Sequence, residues 1–273
     1  VRVKLAFTDS APKSLTVTIG NNYYCANNGS TLSAGTYTFT LSGTNVNISG
    51  NGYNFSTASP FMLMRGDKKP SSNLISLAGL KYGNRKYLGD MYFYCNSGSL
   101  MAVNRLSMEE YLYGTVSHEM ADSYPKEALK AQAVVARGYA KGRLKSTGTY
   151  DIGDTADDQV YFGYDPATVN TIAAVDETAG EVLTYNGKIA ATFYYASNGG
   201  QTEYVGNGFG GGSAKNALYP YLTQKDDPYD LENPASRKQV IYVPKQVEGS
   251  KYDAVTVETA MAKIVNVNTS CNV

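Results

Sequence analysis

Apolar and polar residues alternate in short runs from the start of the chain to about residue 110, as in Leu15-Thr16-Val17-Thr18-Ile19 and Tyr37-Thr38-Phe39-Thr40-Leu41. Period-two alternation is what a strand with one buried face requires, and the Asn-Gly and Gly-Asn pairs between runs suit hairpin turns. The run Asn45 to Gly52 is turn-rich and weakly charged, and Lys68, Lys69, Pro70, Ser71 and Ser72 form a connection. These features predict a small β-rich subdomain at residues 10–72, an opening strand of the main domain at 1–9, and the body of that domain at 73–273.

Helical signal is concentrated between Ser107 and Leu144. Ser107 followed three residues later by Glu110 fits a capping box and predicts a short helix over 107–112. A stronger helix is expected to open at Pro125, where a fixed φ and a missing N–H suit a first helical position, and to continue through 126–140. Further along, 181–185 and 189–195 flank Asn186-Gly187 and read as a hairpin, followed by a Gly-rich loop from Asn198 to Gly212. The expected fold class is α+β: mainly antiparallel sheet, one principal helix at an active groove, and the small inserted β-rich subdomain.

Composition narrows the function. The 24 basic and 24 acidic residues cancel, so no global field recruits nucleic acid or an anionic membrane. The three cysteines, Cys25, Cys95 and Cys271, are widely spaced and odd in number, which allows at most one internal disulfide and offers no zinc spacing. No apolar run reaches the ~18 residues of a spanning helix, and the strand-like start at Val1 is expected of a mature fragment whose export signal or anchor was removed. The 24 tyrosines, with no tryptophan, suit contact with sugars and equally suit the outer faces of many strands.

Among residues that could carry chemistry, Glu119 is expected just before a helix and among apolar neighbours, where partial desolvation raises a carboxyl toward general-acid range. Lys130 and Arg137, seven apart, share a helix face; they could present two cations to a ligand or form a solvated basic face. Ser197-Asn198-Gly199-Gly200 reads as a loop whose backbone approaches something closely, or as an ordinary connection. Asp151, Asp154, Asp157 and Asp158 lack the ligand spacing of a calcium loop. His118 is the single histidine and no nucleophile-elbow sequence accompanies it, which argues against a conventional serine triad. Arg65-Gly66-Asp67 fits a simple turn, and Asn28 and Asn47 are glycosylation acceptors only in a host that glycosylates.

Residues 103–120, Val-Asn-Arg-Leu-Ser-Met-Glu-Glu-Tyr-Leu-Tyr-Gly-Thr-Val-Ser-His-Glu-Met, together with 124–134, Tyr-Pro-Lys-Glu-Ala-Leu-Lys-Ala-Gln-Ala-Val, resemble the stage II sporulation protein D family, SpoIID. The similarity continues through Arg137-Gly138-Tyr139-Ala140, Gln159-Val160-Tyr161, 179–183, 195–202 and Pro220-Tyr221-Leu222, covering roughly 73–235. The resemblance implies a lytic transglycosylase that acts on peptidoglycan glycan strands stripped of stem peptides, with Glu119 as catalytic acid and base. An internal nucleophile, the muramic C6 hydroxyl, removes the need for the second carboxylate of an ordinary glycosidase.

The resemblance further implies Lys130, Gln132, Arg137, Tyr195, Ser197, Gly199 and Gly200 as substrate-binding residues, extracytoplasmic placement, and a cell-wall amidase and sporulation membrane proteins as partners. Two departures stand out: Ser117-His118 replaces the Pro and small residue frequent in the family, and tryptophans expected after the Gly-Gly loop are absent. His118 could tune Glu119 or be a bystander. Some relatives bind zinc through Cys and His beside the site, but no Cys lies between Cys95 and Cys271, so neither metal nor cofactor is expected. Competing readings are a glycan-binding module that enhances a partner amidase, and an adhesive surface protein.

Overall fold

The computed structural model describes residues 1–66 and 73–232. Strands β1 (Arg2–Lys4), β2 (Ser14–Ile19), β3 (Tyr23–Cys25), β4 (Thr31–Leu32), β5 (Gly35–Ser42), β6 (Asn45–Gly50), β7 (Tyr53–Ala58), β8 (Phe61–Arg65), β9 (Ile75–Leu77), β10 (Lys86–Tyr87), β11 (Asp90–Asn96) and β12 (Ser99–Arg105) precede the helices α1 (Met108–Glu119) and α2 (Lys126–Arg143). After them come β13 (Ile152–Gly153), α3 (Val169–Glu177) and the hairpin of β14 (Thr184–Tyr185) and β15 (Lys188–Ile189). The mixture is α+β, as the sequence pattern predicts.

Alternation in sequence becomes alternation in burial: in β2, Leu15, Val17 and Ile19 are buried while Ser14, Thr16 and Thr18 are exposed. One sheet runs β13-β1-β12-β11-β8-β3-β4 and the other β10-β9-β2-β5-β6-β7. Among the described residues only β1 with β13 is parallel; the other pairings are antiparallel. The sheets meet face to face, with Phe39 of β5 stacked on Phe93 of β11 at 3.9 Å and edge-on to Phe61 of β8 at 5.2 Å. Aromatic pairs of this kind add ~0.5–1.5 kcal/mol each beyond their buried area. Strands from the 10–66 stretch thus enter both sheets, β3, β4 and β8 lying in the same sheet as β1, β11 and β12.

In α2, Leu129, Ala133, Ala136 and Ala140 are buried, a helical stripe that turns its small side chains to the core. Pro125 is the N-cap, one position earlier than expected. The predicted hairpin forms with Asn186 and Gly187 both at positive φ, 49° and 74°, but its ladder is limited to Thr184, Tyr185, Lys188 and Ile189.

Residues 1–196 make one unit. A second begins at Ser197 and contains the short helices α4 (Val205–Gly208), α5 (Gly212–Leu218) and α6 (Pro228–Glu232). Among the described residues Cys25 and Cys95 form no disulfide, and Cys271 lies outside the described residues. Arg65 of the Arg-Gly-Asp tripeptide ends β8 and pairs with Glu110, while Asp67 lies outside the described residues. No helix among the described residues is long and apolar enough to cross a membrane.

Candidate active site

Helix α1 places Glu119. At its start the Ser107 hydroxyl accepts from the Glu110 N–H at 3.3 Å, and the Glu110 carboxylate accepts from the Ser107 N–H at 3.1 Å. Both otherwise unpaired groups are satisfied, and Glu109 and Glu110 complement the positive end of the helix dipole. The expected short helix over 107–112 in fact continues for 12 residues, because Tyr111, Leu112, Gly114, Thr115 and Val116 all bury against the core. Glu119 is therefore the last residue of α1, in addition to preceding α2. Met120 leaves the helix in an extended conformation while its N–H still bonds the Val116 carbonyl at 3.0 Å.

The loop after Glu119 is tied to α3. Asp122 Oδ1 accepts from the Thr171 N–H at 2.7 Å, Oδ2 accepts from the Asn170 N–H at 3.4 Å, and Asn170 Nδ2 donates to the Asp122 carbonyl at 3.0 Å. These bonds hold the Asp122 carboxyl below its ordinary pKa despite the opposing effect of desolvation. They also occupy first-turn N–H groups of α3, as a capping side chain does.

Around Glu119 the chain builds a line of polar side chains that runs into the core. The Tyr194 hydroxyl lies 3.5 Å from Glu119 Oε1 as donor, Gln159 Nε2 donates to the Tyr194 oxygen at 2.8 Å, and the Tyr111 hydroxyl donates to Gln159 Oε1 at 3.1 Å. Tyr111 and Gln159 are buried. Because Gln159 fills an acceptor position on the phenol, the Tyr194 proton is left to point at the carboxylate. Burial raises the Tyr194 pKa well above that of an ordinary phenol, so this hydroxyl stays protonated and acts as a donor.

Glu119 is exposed as a residue, yet its carboxyl is crowded enough that desolvation raises its pKa above the ordinary value. The charge of His118 and the hydrogen bond from Tyr194 offset part of that rise. An accessible carboxyl that holds its proton to higher pH, with a phenol fixing one oxygen, can protonate a leaving group and take a proton back afterwards.

The other residues singled out from sequence separate into different surroundings. Arg137 is fully buried, its guanidinium bonded to Glu109 at 2.6 Å, to the Val175 carbonyl at 3.2 Å and to the Glu181 carbonyl at 3.1 Å. It ties α1, α2 and α3 together and shares no surface with Lys130, which faces Glu127 at 3.2 Å and Glu177 at 3.9 Å. Gln132 Nε2 is buried and makes no hydrogen bond among the described residues. Tyr195 is 55 % exposed, whereas its neighbour Tyr194 turns inward to Glu119.

Ser197, Gly199 and Gly200 belong to the second unit. There the Ser197 hydroxyl and the Asn198 and Gly199 N–H groups all donate to one oxygen of Asp230, at 2.8, 2.9 and 2.8 Å. A side chain at Gly200 would meet Leu231 at 2.7 Å, so the close approach inferred for this loop is to α6. Tyr194, Gln159 and Tyr111 escaped sequence reasoning; Gln159 and Tyr111 stood within the quoted similar segments, but nothing in their spacing announces a hydrogen-bonded line.

The family described as stage II sporulation protein, SpoIID, matches residues 96–185, the stretch that carries α1, α2 and Glu119. An uncharacterized protein of Brachyspira hyodysenteriae is 35% identical over 147 residues, covering 53% of this chain and 38% of that protein. The amidase enhancer of Bacillus subtilis is 33% identical over 229 residues, 82% of this chain and 28% of the relative. Stage II sporulation protein D of Bacillus subtilis is 30% identical over 151 residues, 49% of this chain and 42% of the relative. The chain spans less than half the length of each of these relatives.

Proposed function

Because this chain belongs to the SpoIID family through its domain at residues 96–185, we propose that it is a peptidoglycan lytic transglycosylase of sporulation-related wall remodelling, acting outside the cytoplasm on strands without stem peptides. The observation that carries this reading is Glu119 at the end of α1, its carboxyl raised in pKa by desolvation and facing the Tyr194 hydroxyl at 3.5 Å.

In the reaction, protonated Glu119 gives its proton to the oxygen that joins muramoyl C1 to the next glucosamine. The C1–O bond breaks with its electron pair leaving on that oxygen, and positive charge develops at C1. The muramoyl C6 hydroxyl then attacks C1 and loses its proton to the Glu119 carboxylate, which closes a 1,6-anhydro ring and restores the acid. Tyr194 orients Glu119 without touching the reacting atoms. Neither water nor a second carboxylate is consumed.

Similarity to a protein named amidase enhancer over 82% of this chain favours a second reading, a non-catalytic glycan-binding module that assists a partner amidase. Mass spectrometry of products from purified protein and its Glu119→Gln variant, incubated with strands that do and do not carry stem peptides, separates the two. Anhydro-muramoyl ends from the unaltered protein alone are expected. Reducing ends would indicate hydrolysis, and intact strands that co-sediment with the protein would favour the binding module.

A further inference from the structure

Beside Glu119, α1 presents His118 to an aromatic ring that also carries a guanidinium. The His118 and Phe162 ring centroids are 4.1 Å apart, and Arg85 Cζ lies 4.0 Å from the centroid of Phe162. Backbone contacts fix the ring: the Phe162 N–H donates to the Gly114 carbonyl at 3.2 Å, one helical turn before His118, and the Tyr164 N–H donates to the Lys86 carbonyl at 2.7 Å. The approach depends on Gly114, since a side chain there would meet the Gly163 carbonyl oxygen at 2.0 Å.

Arg85 differs from Arg2, Arg65, Arg137 and Arg143, which all face carboxylates. Its Nε donates to the Tyr82 carbonyl at 3.1 Å, and among the described residues no carboxylate pairs with its terminal nitrogens. A guanidinium packed against an aromatic ring keeps its planar fork oriented at low entropic cost, its Cζ here 4.0 Å from the ring centroid, and the partner such a fork matches is a carboxylate, bound through two parallel hydrogen bonds.

We propose that Arg85 and His118, both set against Phe162, with His118 adjoining Glu119 in the chain, form a carboxylate subsite that takes the lactyl carboxylate of a muramoyl residue lacking its stem peptide. The proposal rests on the transglycosylase reading for the identity of the sugar, and it gives that reading a physical basis for substrate choice. On a peptide-bearing strand the lactyl group is an amide with no charge, and Arg85 has nothing to pair with. Removal of the peptide creates the anion that the subsite recognises.

The test uses the full chain, peptide-free glycan strands, and the same strands with their lactyl carboxylates converted to methylamides. Binding is measured by calorimetry and cleavage by anhydro-muramoyl ends. The unaltered protein should bind the free-carboxylate strands about tenfold more tightly than the methylamides. Arg85→Gln should bring that ratio close to one, and Arg85→Lys should restore part of it, with thermal unfolding midpoints confirming that both variants fold. Equal binding of the two strands by the unaltered protein, equal weakening of both by Arg85→Gln, or no binding of either strand would overturn the subsite. Carboxylate-dependent binding without anhydro ends would instead sink the transglycosylase reading and leave the subsite standing.

Discussion

Tyr194 stands between Gln159 and Glu119, accepting a hydrogen bond from the first at 2.8 Å and offering its own proton to the second at 3.5 Å. One phenol thereby connects a solvent-facing carboxylate to a buried amide. Tyr194→Phe removes this orientation and leaves the Gln159 amide short of a partner. Turnover should fall by about tenfold, against roughly 10²–10⁴-fold for Glu119→Gln, which removes the proposed acid. The contrast is read from the initial rate of anhydro-end formation with both variants assayed side by side.

His118 lowers the Glu119 pKa by its charge, so replacing it must raise that pKa. In the proposed reaction the acid step needs protonated Glu119, so the rate should fall as pH rises through the pKa of that group. In His118→Gln the falling limb of the pH–rate profile should therefore lie at higher pH than in the unaltered protein. A limb that stays in place, or moves down, would show that the imidazole charge does not reach the carboxyl.

The Arg137 ion pair predicts a stability effect. Arg137→Met strands the Glu109 carboxylate and the carbonyls of Val175 and Glu181, and should cost about 3 kcal/mol in chemical denaturation. If Arg137 instead contacted glycan, the variant would keep its unfolding midpoint and raise KM.

Asp154 gives a pH signature independent of catalysis. Burial raises its carboxyl to about 6, above the ordinary 3.8, even though the Ala6 N–H bonds to it. The folded state therefore binds this proton more tightly than the unfolded chain, and the stabilisation is present at low pH and lost as pH rises through about 6. Between pH 4 and pH 7 the unaltered protein should lose roughly 2 kcal/mol relative to Asp154→Asn, measured by urea denaturation at both pH values.

Much of this arrangement was legible in the sequence. The strands of β2 and β5 follow from period-two alternation, and the start of α1 from Ser107 and Glu110, because each is a local rule satisfied locally. The length of α1 was not legible. Gly114, Thr115 and Val116 are indifferent helix formers, and it is burial against distant segments such as Tyr161–Gly163 that keeps them helical. Arg137 shows the same limit from the other side, since its place in the sequence suggested a displayed cation and only the meeting of α1, α2 and α3 withdraws it. Glu119 was identified by resemblance; its partner Tyr194, 75 residues away, became visible only when the fold brought the two together.

The position of Glu119 as the final residue of α1 makes the site sensitive to phase. Each residue of an α-helix advances the chain by 1.5 Å and turns it by about 100°. Inserting or deleting one residue between Ser107 and Glu119 would swing the carboxylate about a third of a turn away from Tyr194 while leaving both residues present. The count of residues in α1 works as a fixed gear between the capped start at Ser107 and the Glu119 carboxyl at the other end.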